Sequence, residues 1–570
     1  MGCAGLGFRW VVLGGMLAQG VLKGNRNLCM LTALTFSHAN AGFAKPMENS
    51  NQYKRSNPWP LLGFFSVLVL LALVYLLDNQ GKSPLGSKPG SGGKGGGQPV
   101  LTVYCAAGVR KAVEEAARLF EQETQVKVSL EYSSSGVLEN RLYRDKEQGV
   151  DFADVYIPAD YTFTERAKSN GATAEALRIA SWKVVLGTKP GSGLDVANCQ
   201  QLLEQEASFV LCDTLAGVGK KTKKFLSQAG VWEAVDQAKS ATFPTVTEAA
   251  LAVKENAGTQ AAFVWDSVAR QMGLTVVELP ELEGSQSNIS AAVTSTTSQP
   301  TLALQFVRFL NAPGKGAKIF GRHKYTPIPG DAWAIHPTLR IDCGGVNREA
   351  VKKTIEEFEA REGCTVDVVY AGCGTLVSKM QTGDQGLPDL FVTCDASYLD
   401  KAQASMGNPF GPDVRLSSTP IVMLVGKGNP HQVQKLEDLA KPGLRVGTTD
   451  PQASTLGDIS HQLIKDTGAF LEVEKNIVMM ADTAHTLIQS MEAGGKLDVA
   501  LVYEANIQHL QDQFDYVTLS QERATAVQNV AARKDTPYPL LANRLVNYLA
   551  SRDSQRRFEQ VGFTWLGTSE

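Results

Sequence analysis

At 570 residues the chain is too long for one hydrophobic core, and about 150 residues per domain points to about four compact units. A composition that is 43% hydrophobic and 20% charged is that of a globular protein, and a formal net charge of −3 excludes the basic surplus of a dedicated nucleic-acid binder. Nine cysteines without a CxxC pair exclude a zinc ribbon and a thioredoxin motif.

Residues 1–58 form an N-terminal segment with competing readings. Lys23 and Arg26, followed by LCMLTALTF and SHANA ending at Ala41, imitate a signal peptide with an Ala-x-Ala cleavage site. The simpler account starts translation at Met47. Gly2 and Cys3 imitate an acylation start, but Leu6 stands where Ser or Thr is required. Residues 59–78 then carry WPLLGFFSVLVLLALVYLL without a charge before Asp78, close to the ~20 residues a bilayer-crossing helix needs. Trp59 and Tyr75 stand near its ends, where amphipathic rings favour the interface. A single transmembrane anchor with the large domains on the periplasmic, extracytoplasmic side is expected. Residues 79–99 are rich in Gly, Ser and Lys and cannot bury apolar surface, so they read as a tether of roughly 20–25 Å span.

Beyond the tether the chain repeats itself. Leu101–Arg141 lies over Leu339–Lys379 without a gap, so LTVYCAAGVRKAVEEAARLF faces LRIDCGGVNREAVKKTIEEF and VSLEYSSSGVL faces VDVVYAGCGTL. Cys105/Cys343, Arg110/Arg348, Tyr132/Tyr370 and Gly136/Gly374 are among the identical pairs, and ADVYIPAD ending at Asp160 matches PDLFVTCD ending at Asp395. The expected units are therefore 100–335 and 336–570. Each opens as strand, turn, helix, strand, turn, helix, strand, since LTVY and VSLEY alternate with the strand period and VRKAVEEAARLF has the helical one. Alternating strands and helices predict an α/β fold with parallel sheets and crossovers, and ligands bind beyond the carboxyl ends of such strands. That rule gathers Cys105–Gly108, Ser133–Gly136 and Pro158–Asp160 in the first copy, and Cys343–Val346, Gly372–Thr375 and Thr393–Asp395 in the second. Asp160 and Asp395 read as capping or hinge residues. The run Lys220, Lys221, Lys223, Lys224 reads as a solvated helix face, with Lys220 alone, at a helix start, placed to reach an anion.

These segments resemble the periplasmic molybdate-binding proteins of ABC transporters, within the class II extracellular solute-binding proteins. ADVYIPAD is similar to that family's ADVFISAD-like segment, and Thr449-Asp-Pro-Gln-Ala-Ser-Thr-Leu-Gly457 and DVALVY ending at Tyr503 resemble its later turn and its ligand-binding tyrosine strand. The resemblance covers about 101–330 and 339–567. It implies a tandem duplication of a two-lobed, type II periplasmic-binding-protein-like domain, preceded by one transmembrane helix. It also implies an oxyanion held by hydroxyls, backbone amides and a tyrosine.

Carried over by position, the ligand set is Gly108, Ser135, Val218, Thr247 and Trp265 in the first copy, with Ser134 beside them. In the second copy it is Val346, Cys373, Leu456, Thr483 and Tyr503, with Gly345 adjacent. Gly108 and Val346 replace the family's first-turn serine, Trp265 replaces its tyrosine, and Cys373 replaces a serine, so two identical molybdate sites are not expected. Cys343, Cys373 and Cys394 each follow one of the first three strands of the second copy. They read as a soft-metal site, as a disulfide, or as inert buried thiols, while Cys364 reads as structural.

No GxSxG, HExxH or P-loop occurs, so no catalytic residue, enzyme activity or cofactor is assigned. The leading expectation is capture of a small inorganic oxyanion, molybdate- or tungstate-like, for an ABC permease. The alternatives are a membrane-tethered sensor or scaffold with degenerate clefts, and a metal-ion-binding protein.

Overall fold

The computed structural model describes residues 98–383 and 386–567. The segments expected to hold the signal-like start and the membrane anchor, and nearly all of the tether, lie outside the described residues. Among the described residues no helix is long and apolar enough to cross a membrane.

The first copy opens with a strand at Val100–Ala106, a single 3₁₀ turn, and a helix at Arg110–Thr124. That helix buries Ala112, Val113, Ala116, Ala117 and Phe120, one stripe at three- and four-residue spacing against the sheet. It stops where Gln125 turns left-handed at φ 61°, and the second copy's helix Arg348–Glu362 stops at Gly363, φ 62°. Glycine takes that conformation without the Cβ penalty that Gln125 carries.

The first copy has two sheets, one per lobe, whereas in the second copy the strands of both lobes join in one ten-stranded sheet. In the first copy the lobe-one sheet runs Thr326–Pro327, Thr173–Trp182, Ser287–Thr294, Val155–Ile157, Val100–Ala106, Lys127–Ser133. The lobe-two sheet runs Ala241–Phe243, Phe209–Cys212, Ala261–Trp265, Val184–Thr188, Thr275–Val277. The sheets are mixed, which corrects the expectation of purely parallel ones. The opening strands pair in parallel, but Ser287–Thr294 is antiparallel to its neighbours because the chain there returns from lobe two. Lys183 separates the outgoing strand of lobe one from the first of lobe two. In the second copy the same passage is one unbroken strand, Phe410–Gly426, which pairs with Thr525–Arg533 up to Pro420 and with Val499–Tyr503 from Ile421.

The two copies pack against each other. Asp331, in the connection between them, accepts backbone N–H bonds from Leu540 and Leu541 at 2.7 and 3.0 Å, and so caps the second copy's helix Pro539–Leu549. Arg361 of the second copy pairs with Glu175 of the first at 2.5 Å. Beneath this contact Arg544 grips the fully buried Glu362 with two hydrogen bonds of 2.7 and 2.9 Å. Arg308, buried on the first copy's helix Pro300–Asn311, is pushed below its usual range by burial, which the nearby Glu362 opposes.

Candidate functional site

In the second copy the lobes enclose a cleft of about 400 Å³, lined by Gly345, Val346, Tyr370, Ala371, Gly372 and Cys394 from lobe one and by Ser454, Leu456, Asp482, Thr483, Ala484 and Tyr503 from lobe two. Four helices begin at its walls, at Arg348, Cys373, Thr455 and Ala484. Helix starts carry free N–H groups and the positive end of the helix dipole, so a site made from several of them favours an anion.

Tyr503 ends its strand at the bottom of this cleft with its hydroxyl buried and unpartnered. Burial, and after it Cys394 and Cys373, push the phenol well above its usual range, so it remains a donor. Asn506 Oδ1 is likewise buried without a partner. A buried polar group left unpaired costs about 1–3 kcal/mol, and two in one cleft mark a place where a polar ligand completes the bonding. Arg348 and His485 bring positive or protonatable groups to the rim, and Glu349 and Asp482 bring negative ones. The Arg348 guanidinium stacks over Tyr370 at 4.4 Å.

The first copy is built on the same plan and is closed. Trp182 stacks on Trp265 with centroids 4.5 Å apart and planes 7° from parallel, and its indole donates to Ala159 O at 2.9 Å. A Cβ on Gly108 would meet Val246 Cγ1 at 2.9 Å and Trp182 Cη2 at 3.1 Å, so the first-turn glycine is where these side chains fill the cleft. Tyr325 seals one side by donating to Gly108 O at 2.6 Å. Lys221 of lobe two reaches the buried Asp160 of lobe one at 2.9 Å. About 20 Å³ is left among Gly108, Ser134, Ser135, Val218 and Trp265, room for about one water and no oxyanion. The second copy passes this point as Thr419-Pro420, with no aromatic ring to fill its cleft.

Gly345, Val346, Leu456, Thr483 and Tyr503 line the open cleft, and Cys373 lies just beneath it, fully buried. Gly108, Ser134, Ser135, Val218 and Trp265 surround the small residual space of the first copy. Thr247 does not border that space; its hydroxyl bridges the lobes to Ala107 O at 3.3 Å. Thr245, which caps the helix Val246–Glu255, is the true counterpart of Thr483, which caps Ala484–Glu492. Lys220 lies over the Phe163 ring at 4.8 Å, and its neighbour Lys221 makes the inter-lobe ion pair. Asp160 caps the helix Tyr161–Ser169, and Asp395 accepts from Ser397 N and Val527 N at 3.0 Å each.

The three cysteines do not form one cluster. Cys373 and Cys394 meet on one face of the sheet, while Cys343 packs with Val351 and Phe358 on the other, as strand alternation requires. Among the described residues no group of three His, Cys, Asp or Glu side chains is placed to hold a metal ion. Thr455, Asn506 and Asp482 were not singled out from sequence. Thr455 stands inside the TDPQASTLG turn and was legible there as a hydroxyl at a helix start, whereas nothing local distinguishes Asn506.

A model of the bacterial extracellular solute-binding protein family matches the chain twice, over residues 101–326 and 339–564. The chain belongs to that family. Among relatives of this solute-binding protein, a binding protein of Haemophilus influenzae is 24% identical over 229 residues, 40% of this chain and 90% of that protein. The molybdate-binding protein ModA of Mycobacterium bovis is 24% identical over 210 residues, 36% of this chain and 77% of that one. Among solved structures, the periplasmic molybdate-binding protein of Azotobacter vinelandii is 19% identical, with a TM-score of 0.34, over 40% of this chain and 99% of its own. The sulfate-binding protein SubI of Mycobacterium tuberculosis is 19% identical, with a TM-score of 0.33, over 40% of this chain and 86% of its own. This solute-binding protein thus carries two family domains in tandem, one with an open cleft and one with a filled cleft.

Proposed function

We propose that this chain is a membrane-anchored, extracytoplasmic binding protein that captures a small oxyanion of the molybdate or tungstate type in its second copy and delivers it to an ABC-type permease. The observation that carries the reading is the unpartnered, protonated Tyr503 hydroxyl in a cleft where four helices start. Neutral donors of this kind suit an oxyanion that leaves water, because a buried anion is tolerable only where many hydrogen bonds converge on it. The names of the molybdate-binding relatives support the ligand class. The first copy serves as a closed companion domain, a reading favoured by the tryptophan pair filling its cleft. In that respect it is the degenerate, scaffold-like cleft of the alternative reading.

The test is titration of the full chain with molybdate, tungstate, sulfate and phosphate, followed by thermal unfolding and calorimetry. A bound anion at one hundred times its dissociation constant adds about 2.7 kcal/mol to the domain that holds it. One site per chain is expected. Absence of a shift with all four anions overturns the oxyanion reading, and two equivalent sites overturn the assignment of a closed first copy.

A further inference from the structure

The second copy differs from the first at three positions that touch one another. Ser135 of the first copy is Cys373 in the second, Ala159 is Cys394, and Ala106 is Gly344. A Cβ on Gly344 would collide with the Cys394 sulfur, and would stand 2.8 Å from Cys394 N and 3.1 Å from Cys373 Sγ. The methyl group absent from position 344 is thus the space the Cys394 sulfur occupies. Into that space the two sulfurs converge: Cys373 S–H donates to Cys394 Sγ at 2.9 Å, and Cys394 N–H donates to Cys373 Sγ at 3.0 Å. The second copy therefore holds a dithiol that the duplicated template lacks.

We propose that Cys373 and Cys394 are a redox-active thiol pair at the floor of the second-copy cleft, closing to a disulfide by exchange with a small disulfide that enters the cleft. Cys394 lines the cleft and Cys373 is sealed behind it, so the attacking sulfur is Cys394. Its thiolate attacks one sulfur of the incoming RS–SR, breaking that bond, forming a mixed disulfide and releasing RS⁻, which takes up a proton. Cys373 then loses its proton and attacks the Cys394 sulfur, expelling the second RS⁻, which is also protonated. The pair is oxidised by two electrons and the small disulfide is reduced to two thiols. The two sulfurs need to approach by less than about 1 Å to reach the disulfide bond length of about 2.05 Å. The electrostatics match this order of attack. The bond from Cys373, opposed by burial and aided by the Thr455 hydroxyl and the Cys373 and Val346 amides, holds the Cys394 thiol below its usual range. Burial pushes Cys373 well above its own. This chemistry shares the cleft proposed for the anion but does not depend on anion binding, so each can fail without the other.

The test uses the reduced, natively folded full chain equilibrated with oxidised and reduced glutathione at a series of ratios. The samples are quenched in acid, unfolded, and alkylated with N-ethylmaleimide. Of the nine cysteines, loss of two alkylations is expected as the ratio rises, with Cys373 and Cys394 in one cross-linked peptide and full recovery on reduction. Cys373→Ser keeps the hydrogen-bond acceptor, as Ser135 does for Ala159 N at 3.0 Å, and should trap glutathione on Cys394. Cys394→Ala should abolish both products. Full alkylation of Cys373 and Cys394 at every ratio, in protein whose circular dichroism is native, overturns the proposal. So does glutathione trapped on Cys373 rather than Cys394 in the single variants.

Discussion

Ser135 and Cys373 hold one hydrogen bond in two chemistries: Ser135 Oγ accepts from Ala159 N at 3.0 Å, and Cys373 Sγ accepts from Cys394 N at 3.0 Å. The bond ties the start of the second helix to the end of the third strand in each copy, fixing where that helix N-terminus points. Around it the side chains have been exchanged as a set, because the volume is shared. Gly344→Ala alone should therefore cost about 1–3 kcal/mol, the usual range for overpacking, as the new methyl meets the Cys394 sulfur. The double change Gly344→Ala with Cys394→Ala restores two of the first copy's three side chains and removes the sulfur the new methyl meets most closely, so it should recover most of the loss. Denaturant unfolding of the two singles and the double gives the coupling directly; additive effects would show that the volume is not shared.

Tyr503→Phe separates binding from stability. The Tyr503 hydroxyl has no partner in the unliganded protein, so its removal breaks no bond and relieves a group that costs about 1–3 kcal/mol to bury unpaired. Stability without ligand should stay level or rise. Anion affinity should fall by about tenfold or more, the worth of one hydrogen bond to a charged acceptor. Calorimetric titration beside thermal unfolding reads both, and a variant that is less stable yet binds unchanged would contradict the role given to the phenol.

The duplication and the order strand, helix, strand were legible because both are local: residue identity at matching positions, and apolar periods of two and of three to four. The open cleft was partly legible for the same reason, since its helix starts follow strands that the repeat aligns. What was not legible depended on side chains far apart in sequence. Trp182 and Trp265 are separated by a whole lobe, and only their stacking reveals that the first cleft is full. Cys343 was grouped with Cys373 and Cys394 because all three follow strands, but side-chain alternation sends it to the opposite face. The offset between Thr247 and Thr245 arises because a run with two threonines around one helix start admits two alignments, and only the capping bond from Glu248 N to Thr245 chooses between them.

Asp160 makes the closure of the first copy sensitive to acid. Burial alone would raise its pKa, but bonds from the Ser287 and Thr162 hydroxyls at 2.5 Å each and from Lys221 at 2.9 Å hold it below the usual carboxylate range. A depressed folded value means stability that is present above the unfolded value of about 3.9 and is lost as pH falls through the folded one. The wild-type chain should therefore lose stability below about pH 4 more steeply than Asp160→Asn, whose amide keeps a capping oxygen but cannot titrate. Urea midpoints measured from neutral pH down to about pH 3 test this, with parallel curves as the contrary result.

The packing of the two copies predicts an asymmetry between the partners of one ion pair. Glu362 is 0% exposed and receives both hydrogen bonds from Arg544, and it also favours the charged form of the buried Arg308. Two atoms of Arg308, Nε and Nη2, have no hydrogen-bond partner. Removing Arg544 leaves Glu362 with a cation still near it. Removing Glu362 leaves two buried guanidinium groups with less to balance them, although Asp331 raises the pKa of both. Breaking a buried pair from one side typically costs about 3–5 kcal/mol, and Glu362→Gln should fall at the upper end of that range and Arg544→Met at the lower. Because the network joins the copies, the loss should also split a single unfolding transition into two. Calorimetric scans of both variants read the order and the splitting. A larger cost for Arg544→Met would mean that Arg308 does not share the charge of Glu362.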